Sequence, residues 1–326
     1  MNRKSRNIII VFLAVVIIGV VGYFISANRA PKLMTPDFVH KLLLTRDQSK
    51  LDAISKQLTV QFPHDTAELQ NMLRFTSPDA REFAAQVLVR IGTTDAIQLL
   101  IQSIKVESDP ATKDNLTELL KGITNVAGVP ALISCAMDVS DLSMHRVCRN
   151  LLSSLPDPTV SLDLIAKIEQ DVGTGKMEPI IYAVAHLTNE SAIPALISGA
   201  KSNSEVTARA SIEGLGNIAT PNSFAALFDI ISTNNLTTRG EVARIVILQS
   251  ALASKDASLV ATCKRVIETS KNQTTIETAV DGLIAIHASE ALVALQEELA
   301  QTKDIVLKSY LSAALGRRQK IFGPGR

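Results

Sequence analysis

Gly128-Val129-Pro130-Ala131-Leu132-Ile133 returns 64 residues later as Ala192-Ile193-Pro194-Ala195-Leu196-Ile197, and more loosely as Ser223-Phe224-Ala225-Ala226-Leu227-Phe228 and Ala291-Leu292-Val293-Ala294-Leu295. An echo at a near-fixed period marks a repeat architecture. Taking the leucine of each copy as an anchor and filling the gaps gives Leu69, Leu99, Leu132, Leu164, Leu196, Leu227, Thr262 and Leu295, spaced by 30 to 35 residues. Around each anchor the apolar positions fall at minus three, zero, plus one and plus four, as in Ile193, Leu196, Ile197 and Ala200. That spacing is one face of an α-helix. Between anchors lies a second helical stretch: 79–92, 111–125, 142–155, 176–188, 204–219, 239–254, 273–287 and 304–318. Turn chemistry separates them, including Ser77-Pro78-Asp79, Pro156-Asp157-Pro158 and Thr220-Pro221-Asn222. No stretch sustains the period-two alternation of a strand. A two-helix unit of this size has no way to bury its apolar face alone, so neighbours must stack into an α-solenoid.

Tetratricopeptide units need Trp, and this chain has none; the ankyrin signature Thr-Pro-Leu-His is also absent. Ser77-Pro78-Asp79-Ala80-Arg81-Glu82-Phe83-Ala84-Ala85-Gln86-Val87-Leu88-Val89-Arg90-Ile91-Gly92 instead resembles the first helix of a bacterial-type HEAT repeat, with Pro, Arg, Ala-Ala, Leu and Ile-Gly in order. Leu215-Gly216-Asn217-Ile218 and Ala313-Ala314-Leu315-Gly316-Arg317 resemble the end of that pattern. The units around Leu164 and Thr262 depart from it by lacking Pro-Ala-Leu. The resemblance implies an all-α fold, a right-handed α-solenoid of about eight two-helix HEAT-like repeats over 65–318. Residues 35–64 are expected to cap its first unit, starting at Thr35-Pro36, and 319–326 to form a flexible basic tail.

The solenoid is expected to follow one transmembrane helix. Ile8 to Ile25 is an uncharged apolar run of 18 residues, which as a helix reaches about 27 Å, close to the hydrocarbon thickness of a bilayer. A basic segment, 1–7, precedes it with Arg3, Lys4 and Arg6, and only Arg29 and Lys32 follow closely, in or beside the linker 26–34. Positive-inside bias therefore puts the amino terminus in the cytoplasm and the solenoid in the periplasm or another extracytoplasmic space, on the inner membrane of a bacterial cell. Cleavage after Ala27, which would release a soluble solenoid, competes with this reading, but Ile25 is bulky for the minus-three position of a signal site. A cytoplasmic solenoid in the reversed orientation is the other alternative.

Of 326 residues, 46% are hydrophobic and 20% charged, with 33 Lys and Arg against 32 Asp and Glu. Nine of those bases lie in 1–32 and 317–326, where there is no acid. Residues 33–316 therefore hold 24 bases against 32 acids, a net of −8, which argues against nucleic acid as a partner. Chemistry-bearing motifs are sparse. The five histidines, at 40, 64, 145, 186 and 287, fall in separate units, and His145 with Cys148 is at most half a metal site, so no metal is expected. Gly173-Thr174-Gly175-Lys176 lacks the first glycine and the Ser/Thr of a phosphate loop. No nucleophile elbow occurs, and no catalytic residue, cofactor or small-molecule ligand is expected. Some HEAT-like proteins are phycobilin lyases, which makes a lyase-type enzyme or accessory protein the alternative; a chain only 4% aromatic suits a chromophore cleft poorly. Cys135 and Cys148 lie on consecutive helices and are open to bridging if the body is extracytoplasmic.

The resemblance also implies that the second helix of each unit lines the concave face. At anchor plus two that flank reads Ile101, Ser134, Ser198, Asp229, Lys264 and Glu297; at plus six it reads Lys105, Asp138, Ser202, Thr233, Glu268 and Gln301. The expected protein-binding strip is Ser134, Asp138, Ser198, Ser202, Asp229, Lys264, Glu268 and Glu297, small, polar and mildly acidic. Such a strip suits a protein partner with basic groups. A membrane-anchored scaffold or adaptor is the expected function.

Overall fold

The computed structural model describes residues 53, 66–155, 157–170, 177–234 and 237–323. Apart from residue 53, the segments read above as basic terminus, span, linker and cap (1–7, 8–25, 26–34 and 35–64) lie outside these residues, as do 173–176 and the last three residues of the tail. Among the described residues there is no strand, and no single helix is long and apolar enough to cross a membrane.

The chain divides into two compact units, Met1–Ile91 and Gly92–Arg326. In the first, α1 (Thr66–Met72) packs on α2 (Pro78–Ile91). Leu69, Phe83, Ala84 and Leu88 are buried there.

The second unit is a run of helices: α3 (Thr94–Val106), α4 (Pro110–Leu120), α5 (Val129–Met137), α6 (Leu142–Ser154), α7 (Pro158–Gln170), α8 (Glu178–Ala185), α9 (Ile193–Ala200), α10 (Glu205–Ile218), α11 (Pro221–Asn234), α12 (Thr238–Ala253), α13 (Ala257–Thr269), α14 (Gln273–Ala285), α15 (Ser289–Gln301) and α16 (Ile305–Phe322). Helices this short are marginal in isolation, so packing must hold them. The first helices α6, α8, α10, α12, α14 and α16 stack in one row. The second helices α7, α9, α11, α13 and α15 stack in the other, and α3 packs on α5. The described residues of this second unit thus form an all-helical stack of two helix rows, the arrangement of an α-solenoid.

Helix starts are written in the sequence. Asp109, Asp141, Ser204, Thr237, Asp256, Asn272 and Asp304 each accept a backbone N–H at an N-cap, satisfying donors that the first turn leaves open. The sequence echo at 128 and 192 has a structural counterpart. Asn125 and Asn189 cap 3₁₀ turns, Val126–Gly128 and Glu190–Ala192, which lead directly into the Pro-Ala-Leu helices α5 and α9.

Leu69, Leu132, Leu164, Leu196, Leu227, Thr262 and Leu295 all lie buried on the anchor helices. Leu99 does not fit: it is half-buried, while its neighbour Leu100 is fully buried together with Ile97 and Ile104. The anchor of that unit is therefore Leu100. With this register Ile97, Leu100, Ile101 and Ile104 fall on minus three, zero, plus one and plus four like the others. Each such aliphatic side chain contributes about 2 kcal/mol of burial.

At α10 small residues bring neighbouring first helices into close contact. Ala208, Ala210, Ser211, Gly214 and Gly216 are all buried on this helix. A Cβ on Gly216 would lie 2.0 Å from Val246 Cγ1 of α12, and one on Gly214 would lie 2.5 Å from the Val184 carbonyl of α8. Glycine is what lets both neighbours approach.

Two expectations about the ends and the cysteines meet the structure here. The tail read as flexible from residue 319 is helical to Phe322, because Arg318 is buried beneath it and donates to the carbonyls of Leu283, Ile284, Ile286 and Ala288. Phe322 also packs edge-on against His287. The helix stops at Gly323, whose φ of +84° favours glycine. Cys135 of α5 and Cys148 of α6 form a disulfide, with Cα atoms 5.9 Å apart. Cys263 is free and buried among apolar groups, which pushes its thiol up to about 12.

Candidate binding faces

The expected strip lies along the row of second helices, and four of its eight residues join neighbouring repeats or their edges. Lys105 Nζ donates to Asp138 Oδ2 at 2.5 Å, from α3 to the end of α5. Ser202 Oγ donates to Glu169 Oε1 at 2.6 Å, and Lys264 Nζ of α13 to Glu297 Oε2 of α15 at 2.6 Å. Each pair is separated by 33 residues, one repeat. Lys105 holds the Asp138 carboxyl well below the usual carboxylate range, and Glu297 holds the Lys264 ammonium above its ordinary value. The mild acidity read from the sequence is therefore reduced by bases on the same face. Ser134, Ser198, Asp229 and Glu268 are the exposed remainder.

Asp229 lines a cleft of about 470 Å³ between α9 and α11, together with Lys201, Thr233 and Arg239. Arg239 is itself tied to Glu205 at 3.1 Å and to the Ala200 carbonyl. Farther along, the Lys264–Glu297 pair rims an apolar groove of about 430 Å³ between α13 and α15, floored by Val260, Ala261, Val293 and Ala294. Behind the pair Glu298 is 6% exposed, and its Oε1 is buried without a hydrogen-bond partner. Burial, then the neighbouring Glu268 charge, pushes the Glu298 carboxyl up, against the pull of Lys264.

The opposite row carries a site that motif reading missed. Arg149 of α6 lies over the Tyr182 ring of α8, with Cζ 3.7 Å from the centroid. His186 stacks on the same ring, with centroids 3.7 Å apart and planes 12° apart. Arg149 and Tyr182 are one repeat apart, and Tyr182 and His186 are one helical turn apart. Those spacings were the available signal. His186 Nδ1 lies 2.9 Å from the Tyr182 carbonyl. A carbonyl only accepts, so Nδ1 carries the proton and Nε2 is the acceptor of the neutral ring.

His186 is also one wall of a cleft of about 640 Å³ at the C-terminal ends of α8, α10 and α12. Glu213, Asn217, Gln249, Ser250, Lys255 and Asp256 supply its polar groups, and Gly216, Ala219 and Val246 its apolar floor. Ala219 has a φ of +52°, the one non-glycine residue with positive φ among those described. Ser250 Oγ donates to the Gly216 carbonyl at 2.7 Å, and Asn217 Nδ2 to the Leu187 carbonyl at 3.2 Å. Hydrogen bonds from Ser258 hold the Asp256 carboxyl below its ordinary value, so it is ionised at neutral pH. Among the described residues no group of three or more His, Cys, Asp or Glu is placed to hold a metal ion.

No protein-family model matches the chain, and no curated protein matches it. Solved structures with a likeness to it include human deoxyhypusine hydroxylase, at 15% identity over 82% of this chain and 98% of that one, with a TM-score of 0.28. An engineered protein aligns at 16% identity over 78% of each chain, also with a TM-score of 0.28. The complex of CpcE and CpcF of phycocyanin lyase from Nostoc sp. aligns at 18% identity over 77% of this chain and 93% of that one, with a TM-score of 0.26. Likenesses at this level carry no argument about activity, and the solenoid assignment rests on the helix rows and repeat-spaced contacts described above.

Proposed function

We propose that this protein is a membrane-anchored scaffold, a right-handed HEAT-like solenoid held at the inner membrane by residues 8–25 and displayed outside the cytoplasm to bind a partner protein. The observation that carries the reading is the ordering of the second-helix row. One set of polar residues ties repeat to repeat, and a second set, Ser134, Ser198, Asp229 and Glu268, stays exposed along the same row. A long, ordered face of small polar groups presents a broad surface to a macromolecule. The Cys135–Cys148 disulfide supports the extracytoplasmic orientation, because such bonds persist in oxidising compartments.

Crosslinking and pull-down from intact membranes tests the scaffold. The native chain is compared with a variant carrying Ser134→Lys, Ser198→Lys and Asp229→Lys, which leaves the inter-repeat pairs intact. A defined partner captured by the first and lost by the second, with helicity unchanged, supports the reading. A partner retained by both moves binding off this row. No partner at all overturns the scaffold and favours a small ligand or a lyase-type activity. A periplasm-active reporter fused after Arg326 tests orientation separately: activity supports it, and silence beside an active cytoplasmic reporter reverses it.

A further inference from the structure

The cleft at the ends of α8, α10 and α12 has a chemistry the second-helix row lacks. Three helices end beside it, at Ala185, Ile218 and Ala253. A helix C-terminus carries partial negative charge from its last carbonyls, and three such ends outnumber the one N-terminus at the cleft, that of α13 capped by Asp256, so the ends together favour a cation. Two carboxylates, Glu213 and Asp256, add full charges to the lining. Glu213 is bonded to Arg209 at 3.0 Å, and Asp256 accepts from the Ser258 N–H at 2.8 Å, so both are oriented before anything binds. Lys255 opposes them from the same wall.

Shape narrows the cation further. Tyr182 is covered by Arg149 and by His186, whereas His186, an exposed residue, meets Tyr182 on one ring face only. His186 is exposed and lines the cleft, so its ring can extend the stack to a planar group. Nδ1 is committed to the Tyr182 carbonyl, which leaves Nε2 as the ring nitrogen at the free edge. An ammonium has no flat face to offer. A guanidinium does, and its fork of donors matches carboxylates.

We infer that this cleft is a specificity pocket for an arginine side chain of the partner protein, whose guanidinium stacks on His186 and pairs with Glu213 and Asp256. The inference rests on the protein-binding reading, and it places a recognition point on the first-helix row. The assignment also gives a use to the close approach of α10 and α12 at Gly216, which sets the cleft floor.

The test uses the full chain in detergent micelles and does not require the natural partner. The histidine ring signals are followed by NMR during titration with N-acetyl-arginine amide, and in parallel with the citrulline and lysine analogues. The expected result is a saturable shift of the His186 signals, assigned by their absence from His186→Ala, in the millimolar range of a single side chain and stronger for arginine than for either analogue. Glu213→Gln and Asp256→Asn are each expected to weaken it by about tenfold, and Lys255→Ala to strengthen it. Asn still caps α13, so Asp256→Asn preserves the fold. No saturable shift of His186, an equal response to citrulline, or an unchanged response in both carboxylate variants overturns the pocket. If the pocket fails while crosslinking still captures a partner, the scaffold reading stands without it; if arginine binds and no partner is captured, the guanidinium site stands and its assignment to a partner protein falls with the scaffold.

Discussion

Lys105 and Asp138 are 33 residues apart in the chain and 2.5 Å apart in space. The same one-repeat step joins Ser202 to Glu169 and Lys264 to Glu297, and Ser254 to His287 through the backbone. Contacts in register between neighbouring units fix the stacking of a solenoid, because each unit touches only its neighbours.

This relationship predicts a low-pH component of stability. Lys105 holds the folded Asp138 carboxyl below its ordinary value, so the contribution is full above about pH 4 and is lost as pH falls below that value. Urea unfolding between pH 2.5 and 6 should show the native chain losing more stability toward the acid end than Asp138→Asn does. Parallel curves for the two proteins would remove the pair from the stability of the fold.

Gly216→Ala should destabilise by about 1–3 kcal/mol, the usual cost of forcing an extra methyl into a packed contact. The methyl would enter the space of Val246 Cγ1, a side chain that is itself buried. Val246→Ala in the same chain should recover part of the loss. An additive double variant, measured by thermal unfolding, would show that the two positions do not share the space.

Much of the repeat was legible because burial imposes a period. Leu132, Leu164, Leu196, Leu227 and Leu295 recur at positions where an exposed residue would leave a gap between rows. Leu99 kept the repeat spacing but puts Ser103 at plus four, whereas Leu100 puts Ile97, Ile101 and Ile104 on the apolar positions, and the joint burial of Ile97, Leu100 and Ile104 follows that register. Six of the eight strip residues lie on second helices and Asp138 and Ser202 lie just past helix ends, but periodicity does not say which flank residues bond across a repeat. Lys105 and Glu169 therefore entered as partners only with the structure in hand. Arg149 and Tyr182 had the same spacing and were passed over, because a stack between helices leaves no local motif. The cleft beside His186 depends on three helix ends meeting, which no single stretch of sequence encodes.

Arg318 should be among the least replaceable residues of the carboxy-terminal helix. It is 1% exposed and directs its guanidinium at the carbonyls of Leu283, Ile284, Ile286 and Ala288, where α14 ends. The carbonyls of Leu283, Ile284 and Ile286 lie at the helix end, where intrahelical donors run out, while that of Ala288 also accepts from the Ala291 N–H, so the side chain acts as a buried cap for the first three. Arg318→Met leaves the carbonyls of Leu283, Ile284 and Ile286 without that donor at a cost of about 3 kcal/mol, and Arg318→Lys recovers only part because an ammonium lacks the planar fork. Urea unfolding reads the difference, and hydrogen exchange should show α16 opening first. A loss under about 0.5 kcal/mol would mean water replaces the cap readily.

Glu298 predicts the opposite pH trend from Asp138. Burial raises its carboxyl in the fold, so the folded state keeps the proton longer than the unfolded chain does. Stability is then fullest below the unfolded carboxyl value, near pH 4, and falls as pH rises through the higher folded value. Three groups from α13 and α15 face this carboxyl: Glu268 and Glu297 oppose its charge, and Lys264, at 4.0 Å, favours it. Glu298→Gln keeps the shape and removes the titration. Its melting temperature should gain on that of the native chain between about pH 4 and pH 7, the direction that linkage requires for a raised acid. A difference that stays flat with pH would show that Lys264 neutralises Glu298 in full, and a difference that shrinks with rising pH would show that the pair stabilises the charged form.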